Sequence, residues 1–142
     1  MVVDGVSIRA ARPGEEAAVL AMWRHAEAPP SRTDNVEAIA RLVARDAEAL
    51  LVAEREGAIV GSIIAGWDGW RGNVYRLAVA PELRRQGVAL QLVRAAEAHL
   101  TAIGAARVCA QVIAVDARAM GFWRAAGYRV HEGMTRMIRD LG

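Results

Sequence analysis

The sequence has no lysine. All 18 basic residues among its 142 positions are arginine, they alternate with 16 acidic residues through most of the chain, and the formal net charge is only +2. Proteins that bind nucleic acids concentrate positive charge in a patch or stripe, so this scattered pattern predicts no nucleic-acid partner. No apolar run approaches the ~18 residues of a membrane-spanning helix, and the N-terminus has no basic segment followed by an apolar stretch. We therefore expect a cytoplasmic protein without a membrane partner.

Cysteine is equally scarce, because Cys109 is the single one in the chain. A single cysteine excludes an intramolecular disulfide and a cysteine-rich metal site. Its place in the apolar run Arg107–Val112 predicts a buried, inert thiol in a strand, since a reactive thiol needs an accessible, electropositive setting. The histidines are dispersed without metal-ligand spacing, and we interpret His25, His99 and His131 as surface or capping residues. The sequence thus predicts no metal site.

The remaining composition is that of an ordinary folded protein, with 54% hydrophobic and 24% charged residues. A chain of this length is long enough to bury a core, and it contains no repeat, linker or low-complexity tract. We therefore predict one domain that spans residues 1–142.

Hydrophobic periodicity predicts strands and helices that alternate after an antiparallel hairpin. Two apolar runs, Ala49–Arg55 and Ala58–Trp67, flank Glu56-Gly57 and indicate the hairpin. The longest helix is expected at Gly87–Ile103, with Gly104 as its C-terminal cap. The other expected strands are Val6–Ala11, Val74–Val79, Arg107–Ile113, Tyr128–His131 and Met134–Arg139, and the other helices are Glu15–Glu27, one capped by Asp34 with Glu37 three residues later, and Asp116–Ala126. These elements predict an α/β protein of the α+β type with a mixed sheet.

The segment with the clearest chemical meaning joins the strand that ends at Val79 to the long helix. Residues 84–89 fall at the first turn of that helix, where free N–H groups and the positive end of the helix dipole favour an anion such as phosphate. Gly87 and Ala89 remove side-chain bulk, and the arginines add charge at the mouth of the loop. The spacing matches neither a dinucleotide-binding glycine fingerprint nor a P-loop. An ordinary charged connection between a strand and a helix is the alternative.

This loop, together with a second motif near the C-terminus, resembles the GNAT superfamily of N-acetyltransferases. The pyrophosphate loop of that family, Arg/Gln-x-x-Gly-x-Gly/Ala, is matched by Arg84, Gly87 and Ala89. Its C-terminal signature, roughly Asn-x-x-Ala-x-x-Phe-Tyr-x-x-x-Gly-Phe/Tyr, is matched at four positions, which are Ala119, Phe122, Gly127 and Tyr128. With the order of elements and the Ile8-Arg9 opening, the resemblance covers nearly the whole chain.

The resemblance implies a mixed, splayed sheet of six to seven strands with about four helices, and acetyl-CoA lying between the strand that ends at Val79 and the strand at Arg107–Ile113. The pyrophosphate would meet the amides of residues 84–89, and the pantetheine would pair with main-chain groups of Leu77 to Val79. The Val79 N–H would polarise the thioester carbonyl. The cofactor-binding residues implied in this way are Leu77, Ala78, Val79, Arg84, Arg85, Gln86, Gly87, Val88, Ala89, Asp116, Ala119 and Trp123.

The sequence departs from the family at the positions that move protons. Asp116 replaces the usual Asn, and Trp123 replaces the Tyr that often protonates the departing thiolate; an indole N–H is a donor but no practical acid. Relatives carry a catalytic Glu at positions that are Asn73 and Gln111 here. These amides either position a water that relays the proton or are merely polar core groups.

Two further side chains are weak candidates for the proton route. Tyr75 is expected to share the strand face of Leu77 and Val79, and Asp68 stands at the mouth of that strand. Around the same loop, Trp67, Trp70 and Arg71 either line an acceptor cleft or dimer contact or pack over the edge of the sheet. Trp23, on the apolar stripe of the first helix, is expected in the core.

The leading hypothesis is transfer of acetyl from acetyl-CoA to a primary amine by direct attack in a ternary complex. The amine belongs to a small metabolite, an aminoglycoside-like drug, or a protein N-terminus or lysine. A non-catalytic module that binds or senses acetyl-CoA, and a subunit whose acceptor site comes from another chain, are the alternatives. Homodimers are common among such proteins, and a homodimer is possible here.

Overall fold

The structure is a computed structural model, and it describes residues 5–142. Its chain divides into two compact units, residues up to 111 and residues 112–142. The first unit is organised by a mixed sheet of five strands in the order β1-β2-β3-β4-β5, with β5 parallel to β4 and the other neighbours antiparallel. The strands are β1 (Val6–Ala10), β2 (Leu50–Arg55), β3 (Ala58–Trp67), β4 (Gly72–Val79) and β5 (Val108–Ala110). The helices are α1 (Glu16–His25), α2 (Val36–Arg45), α3 (Val88–Ala102) and α4 (Ala117–Ala125), with a short 3-10 turn at Pro81–Leu83.

This arrangement confirms the predicted α+β class with a mixed sheet and four helices, but the predicted count of six to seven strands is wrong for residues 5–142. The segments 128–131 and 134–139 form no strand, and β5 ends at Ala110. A strand needs a hydrogen-bonded neighbour, which an apolar run does not itself supply. The side chains of Met137 and Ile138 are exposed instead.

Helices cover both faces of the sheet. Successive residues of a strand point to opposite faces. Ser62 of β3 is hydrogen-bonded to Trp23 of α1, whereas a Cβ at the neighbouring Gly61 would lie 3.1 Å from Leu92 of α3. Gly72 of β4 makes a similar close approach, since a Cβ there would lie 2.8 Å from Leu100. Glycine at these two positions therefore lets α3 lie directly on the sheet.

The core on the α1 face is a cluster of buried side chains from α1, α2, β2 and β4. Burial of such apolar surface contributes roughly 25 cal/mol for each Å² removed from water. Trp23 is 3% exposed in this cluster, which confirms its predicted place in the core. The buried members are Ala11, Val19, Leu20, Met22, Trp23, Ala26, Ile39, Val43, Leu50, Val52 and Ala78.

Strand β4 contains a bulge that the sequence pattern does not predict. The register with β3 shifts between Ser62 and Ile64, and Arg76 has φ +53°, a left-handed conformation. Tyr75 pairs with Ile64 and Ala78 pairs with Ser62, so both lie on one face of the sheet. The expectation that Tyr75 shares a face with Leu77 and Val79 is therefore wrong, because one extra residue reverses the alternation.

The helix ends show which local signals operate. The side chain of Asn35, not Asp34, caps α2 by accepting from the N–H of Ala38 at 2.8 Å. Helix α3 ends as predicted: Gly104 has φ +113°, its N–H donates to Thr101, and the next N–H donates to Leu100. Of these two helix ends, the N-terminal cap of α2 differs from the prediction, and the C-terminal end of α3 agrees with it.

The second unit consists of α4 and the segments on either side of it. Asp116 caps α4 by accepting from the N–H of Ala119 at 3.0 Å. Trp123 packs edge-on between Phe122 and Tyr128, with ring centroids at 5.4 and 4.8 Å. None of the helices described in residues 5–142 has the length and apolar character needed to cross a bilayer.

Candidate active site

The open edge of β4 is the first component of the site. Strand β5 pairs with Gly72 to Val74, whereas β4 continues to Val79, and no other strand within residues 5–142 pairs with β4 on that side. The N–H of Ala80 donates to Val60 on the β3 side, at 2.8 Å. Because successive backbone groups of a strand point to opposite edges, the Val79 N–H is directed to the edge that β5 has left. This edge offers main-chain groups to a ligand that runs along the strand.

The loop that follows carries this edge into α3. After the 3-10 turn, Arg85 has φ +66° and Gly87 has φ +89°, and Gly87 is the N-cap of α3. The first hydrogen bond of the helix is donated by the N–H of Gln91 to the Gly87 carbonyl, at 3.1 Å. The earlier N–H groups of the first turn have no intrahelical acceptor. No acidic residue lies in that first turn, so the helix dipole favours an anion there.

The side chains of the loop hold its own backbone in place. The Arg84 guanidinium donates to the carbonyl of Ala26, the C-terminal cap of α1, at 2.9 Å. Gln86 donates to the Glu82 carbonyl at 3.4 Å, and Glu82 in turn contacts His25 at 2.9 Å. Contact of the Arg84 side chain with a bound anion was the expectation, and here that side chain bonds to α1 instead. The Arg84 side chain thus ties the loop to the end of α1.

The candidate groups for proton transfer do not form a cluster of acids and bases. Asn73 and Tyr75 share the α1 face of β4, where Asn73 is half-buried and Tyr75 is 41% exposed. Gln111 is exposed one residue beyond β5. These three candidates therefore supply two amides and a phenol, and none of the three is a carboxylate or an imidazole.

Asp68 is occupied by the turn in which it lies. Its carboxylate accepts from the N–H groups of Arg71 and Trp70, both at 2.8 Å. These two bonds, that of Arg71 first, hold the pKa of Asp68 below its ordinary value. A carboxylate stabilised in its charged form is a weak base, so Asp68 is poorly suited to accept the proton.

The tryptophans of the neighbouring loop take separate positions. Trp67 is half-buried, and its ring lies 3.9 Å from where a Cβ at Gly104 would be. Trp70 is 71% exposed and has the Arg71 guanidinium over its ring at 4.2 Å. Trp67 therefore packs at the end of α3, whereas Trp70 and Arg71 offer a surface to solvent.

Two minor expectations need correction. Cys109 is half-buried, not buried, because β5 is an edge strand of the sheet. His99 is not a surface residue: its side chain is 13% exposed, its Nδ1 lies 3.3 Å from Glu48, and its Nε2 is buried without a hydrogen-bond partner among residues 5–142. His25 does lie at the surface. Within the same residues, no group of three His, Cys, Asp or Glu side chains is arranged to hold a metal ion.

The sequence analysis missed the network around Arg76. Its Nη2 and Nε atoms contact the Asp34 carboxylate at 2.5 and 3.1 Å, and its Nη1 donates to the Pro29 carbonyl at 2.7 Å. Trp23 donates to the Ser62 hydroxyl at 2.8 Å, and that hydroxyl donates to the Arg76 carbonyl at 3.0 Å. Asp34 and Arg76 are 42 residues apart, so no spacing in the sequence reveals this pair.

Three of the predicted cofactor-binding residues belong to the second unit. Asp116 accepts a bond from the helix that it caps, and Trp123 is held between two rings. Ala119 donates its N–H to Asp116. The roles of Asp116, Ala119 and Trp123 toward a cofactor stay predictions from the resemblance.

An open strand edge that runs into a helix N-terminus suits an extended, phosphate-bearing ligand. The Acetyltransferase (GNAT) family model matches residues 17–128. An acetyltransferase of Pectobacterium atrosepticum is 31% identical over 138 residues, which are 95% of this chain and 98% of the relative. The chain therefore belongs to the GNAT acetyltransferase family, whose members use acetyl-CoA and act on amine acceptors.

Solved structures share the fold at low sequence identity. The aminoglycoside antibiotic 6′-N-acetyltransferase of Acinetobacter haemolyticus superposes with a TM-score of 0.76 and 17% identity, over 96% of this chain and 99% of that one. The ribosomal-protein-S18-alanine N-acetyltransferase of Escherichia coli gives 0.70 and 19%, over 86% and 76%. The first enzyme is named for an antibiotic and the second for an alanine of a ribosomal protein, so the fold alone does not select the acceptor.

Proposed function

We propose that this protein is an acetyl-CoA-dependent N-acetyltransferase that acetylates a primary amine by direct attack in a ternary complex. The observation that carries the proposal is the open edge of β4 from Leu77 to Val79, which continues into the left-handed residues Arg85 and Gly87 and the N-terminus of α3. Family membership independently implies the same co-substrate.

The residues present fit acetyl-CoA. Main-chain groups of Leu77 to Val79 suit the amides of pantetheine, because strand-like pairing needs an unoccupied edge. The free N–H groups at the start of α3 suit the pyrophosphate, because no carboxylate of that first turn opposes it. When bound, acetyl-CoA supplies an acetyl thioester and a thiol leaving group.

The Val79 N–H is proposed to donate to the carbonyl oxygen of the acetyl group. A donor of this kind lowers the barrier by about 3 kcal/mol when it meets charge that develops during the reaction. The bond from Ala80 to Val60 fixes the strand at this point, so the donor is oriented before a ligand arrives.

Proton transfer is proposed to involve water rather than a side-chain carboxylate. An alkylamine has a pKa near ~10.4 and is mostly protonated at pH 7, so it must lose a proton before attack. Asn73 cannot accept that proton, but its amide can orient a water molecule beside Tyr75. The leaving thiol has a pKa near ~8.5, so solvent suffices to reprotonate it.

The amides at positions 73 and 111 also favour a second candidate, a module that binds acetyl-CoA without turnover. Both positions carry a catalytic Glu in some relatives, and neither amide replaces its chemistry. Saturable binding of acetyl-CoA without transfer to any amine would support this second candidate.

The test is the release of free CoA thiol from acetyl-CoA in the presence of a panel of primary amines. It compares the intact protein with Gly87→Glu and Gly57→Glu. Both glycines have positive φ, +89° and +79°, so the two variants share the backbone strain, bulk and charge, and only the first lies in the loop. We expect at least one amine to raise thiol release, a loss of about 100-fold or more in kcat/KM for Gly87→Glu, and a change below about threefold for Gly57→Glu. No thiol release above the amine-free rate with any amine would refute the proposal.

A further inference from the structure

We infer that Arg76 is a positioning residue, which fixes the α1–α2 loop (residues 26–35) against the bulge of β4 and thereby shapes the acceptor side of the site. The inference rests on the proposed function and concerns the regulation of acceptor access, not the reaction itself. Its starting observation is that Arg76 binds two points of the loop, the Pro29 carbonyl and both oxygens of Asp34.

Arg76 occupies a backbone conformation that ordinarily favours glycine. With φ +53°, an L-residue is strained, and such strain persists only where surrounding contacts hold it. Here the guanidinium has three polar contacts and lies 5.3 Å from the centroid of the Trp23 ring, while the carbonyl is held by Ser62. The contacts of the Arg76 side chain, and not a preference of the backbone conformation, therefore explain why this position is an arginine.

The partner of Arg76 is also fully engaged with the loop. Asp34 accepts from the backbone N–H of Ser31 at 3.0 Å and from its hydroxyl at 3.1 Å, in addition to Arg76. The Arg76 and Asp34 side chains are only 16% and 18% exposed. Ion pairs shielded in this way are screened less by solvent and salt than surface pairs are. Without Arg76, the loop loses its main tie to the sheet.

A cavity of about 200 Å³ lies under this loop. Its walls are mostly apolar, and the one carboxylate on them, Asp34, is neutralised by Arg76. It is lined by Leu20, Trp23, Arg24, Ala28, Pro30, Ser31 and Asp34. With the Arg24 guanidinium and one paired carboxylate on its walls, a cavity of this size is the proposed place for a side-chain-sized group of the acceptor.

The same residue connects this cavity to the proposed thioester position. Leu77, the first residue of the open edge, directly follows Arg76 in β4. Because the guanidinium holds the cavity wall and the carbonyl is fixed by Ser62, the acceptor cavity and the open edge keep one relative position. Loss of the clamp should therefore loosen acceptor binding and leave acetyl-CoA binding intact.

The first arm of the test needs no substrate. Trypsin cleavage between Arg32 and Thr33, followed by mass spectrometry, compares the intact protein with Arg76→Gly and Asp34→Asn. Glycine at position 76 keeps the left-handed backbone and removes the clamp, and Asp34→Asn spares the helix cap, which Asn35 provides. Glu56→Gly is the matched control, because Glu56 also has positive φ (+51°) and lies in an exposed hairpin turn.

We expect the two clamp variants to be cut at this bond about tenfold faster than the intact protein, because local opening sets the rate of proteolysis. Glu56→Gly should be cut there at the original rate. An unchanged rate in Arg76→Gly and Asp34→Asn, with both variants folded by thermal melting, would overturn the inference.

The second arm uses the best amine from the panel. Both variants should raise the KM for the amine about tenfold while the KM for acetyl-CoA moves less than about twofold, and the double variant should be no worse than either single one. Arg76→Lys should recover part of the loss. Equal shifts in both KM values, or additive losses, would contradict a positioning role. If the intact protein turns over no amine, the proposed function fails, and the trypsin arm alone decides on the clamp.

Discussion

The open edge of β4 and the α1–α2 loop meet at Arg76, yet they are built in different ways. The edge and the following loop depend on backbone conformation: an unpaired strand side, two left-handed residues and a helix N-terminus. The α1–α2 loop depends on side chains, with Arg76, Asp34 and Pro29 in contact across the sequence. In the proposed function, the first region binds the acetyl-CoA that the family uses, and the second lies on the side of the acceptor.

The largest effect is expected from removing one main-chain donor of the first region. Proline at position 79 lacks the N–H that points to the open edge, and no ladder bond is lost because the β3 side is served by Ala80. We expect Val79→Pro to lower kcat by about 10²–10³-fold and also to weaken acetyl-CoA binding, because the proline ring stands on the edge along which the pantetheine is proposed to lie. Steady-state rates and calorimetric titration measure the two quantities.

Ala80→Pro is the control for this experiment. It removes the N–H that donates to Val60, so we expect a loss of stability of about 1–3 kcal/mol rather than a selective loss of kcat. A folded Val79→Pro protein that keeps its kcat would refute the proposed role of the Val79 N–H.

The next effect comes from an ion pair outside both regions. Bonds from Arg9, and then from the Arg12 N–H, lower the pKa of Glu15 from 4.5 to about 2. Since its pKa is lower in the folded state, Glu15 stabilises the protein above about pH 4.5, and this stabilisation is lost as the pH falls toward 2. We expect Glu15→Gln to reduce the free energy of unfolding by about 1–3 kcal/mol at pH 7, and by progressively less below pH 4.5.

Denaturant unfolding at several pH values checks this prediction. Both KM values should stay unchanged in Glu15→Gln, which distinguishes an ordinary structural ion pair from the clamp at Arg76. A difference from the intact protein that persists at pH 2 would show that Glu15 acts through packing and not through its charge.

A smaller effect is expected from the buried hydrogen bond that supports the clamp. Trp23→Phe leaves the Ser62 hydroxyl without its donor in a place that is 0% exposed, and it removes ring volume. We expect a loss of about 1–2 kcal/mol in stability, with a rise in the KM for the amine smaller than that of Arg76→Gly. Thermal melting and amine kinetics test both statements, and a selective rise in the KM for acetyl-CoA would contradict them.

The smallest effect is expected from Asp68→Asn. The carboxylate accepts two backbone bonds through Oδ1, which an amide oxygen can also accept. Since its pKa is already lowered, Asp68 stays charged throughout the neutral range and contributes no titration there. The dependence of kcat/KM on pH should be the same in both proteins. If the rise of kcat/KM with pH disappeared in Asp68→Asn, Asp68 would be identified as the base.

Sequence reasoning succeeded where the determining contacts are local. The helix expected at Gly87–Ile103 is α3 at Val88–Ala102, with Gly87 and Gly104 at its ends. The hairpin strands differ from prediction by one residue, because Glu56-Gly57 forms the turn that its composition favours. The position of the loop before α3 could therefore be predicted from glycine and small residues at fixed spacing, whereas its binding of a cofactor stays a prediction.

Prediction failed where distant residues compete. Asp34 looked like a helix cap, but Arg76 takes its carboxylate and Asn35 caps α2 instead. The face of Tyr75 was wrong because the bulge depends on contacts of Arg76 with residues 42 and 47 positions away. Such contacts leave no periodicity in the sequence.

The most direct test of the account is the thermal midpoint of the intact protein, Gly87→Glu and Gly57→Glu, each with and without acetyl-CoA. At a hundred times its dissociation constant, the ligand adds ~2.7 kcal/mol, which should raise the midpoint by roughly 5–10 °C for a chain of this size. We predict that rise in the intact protein and in Gly57→Glu, and none in Gly87→Glu. An unchanged midpoint of the intact protein at millimolar acetyl-CoA would contradict the claim that this open edge and loop bind the co-substrate.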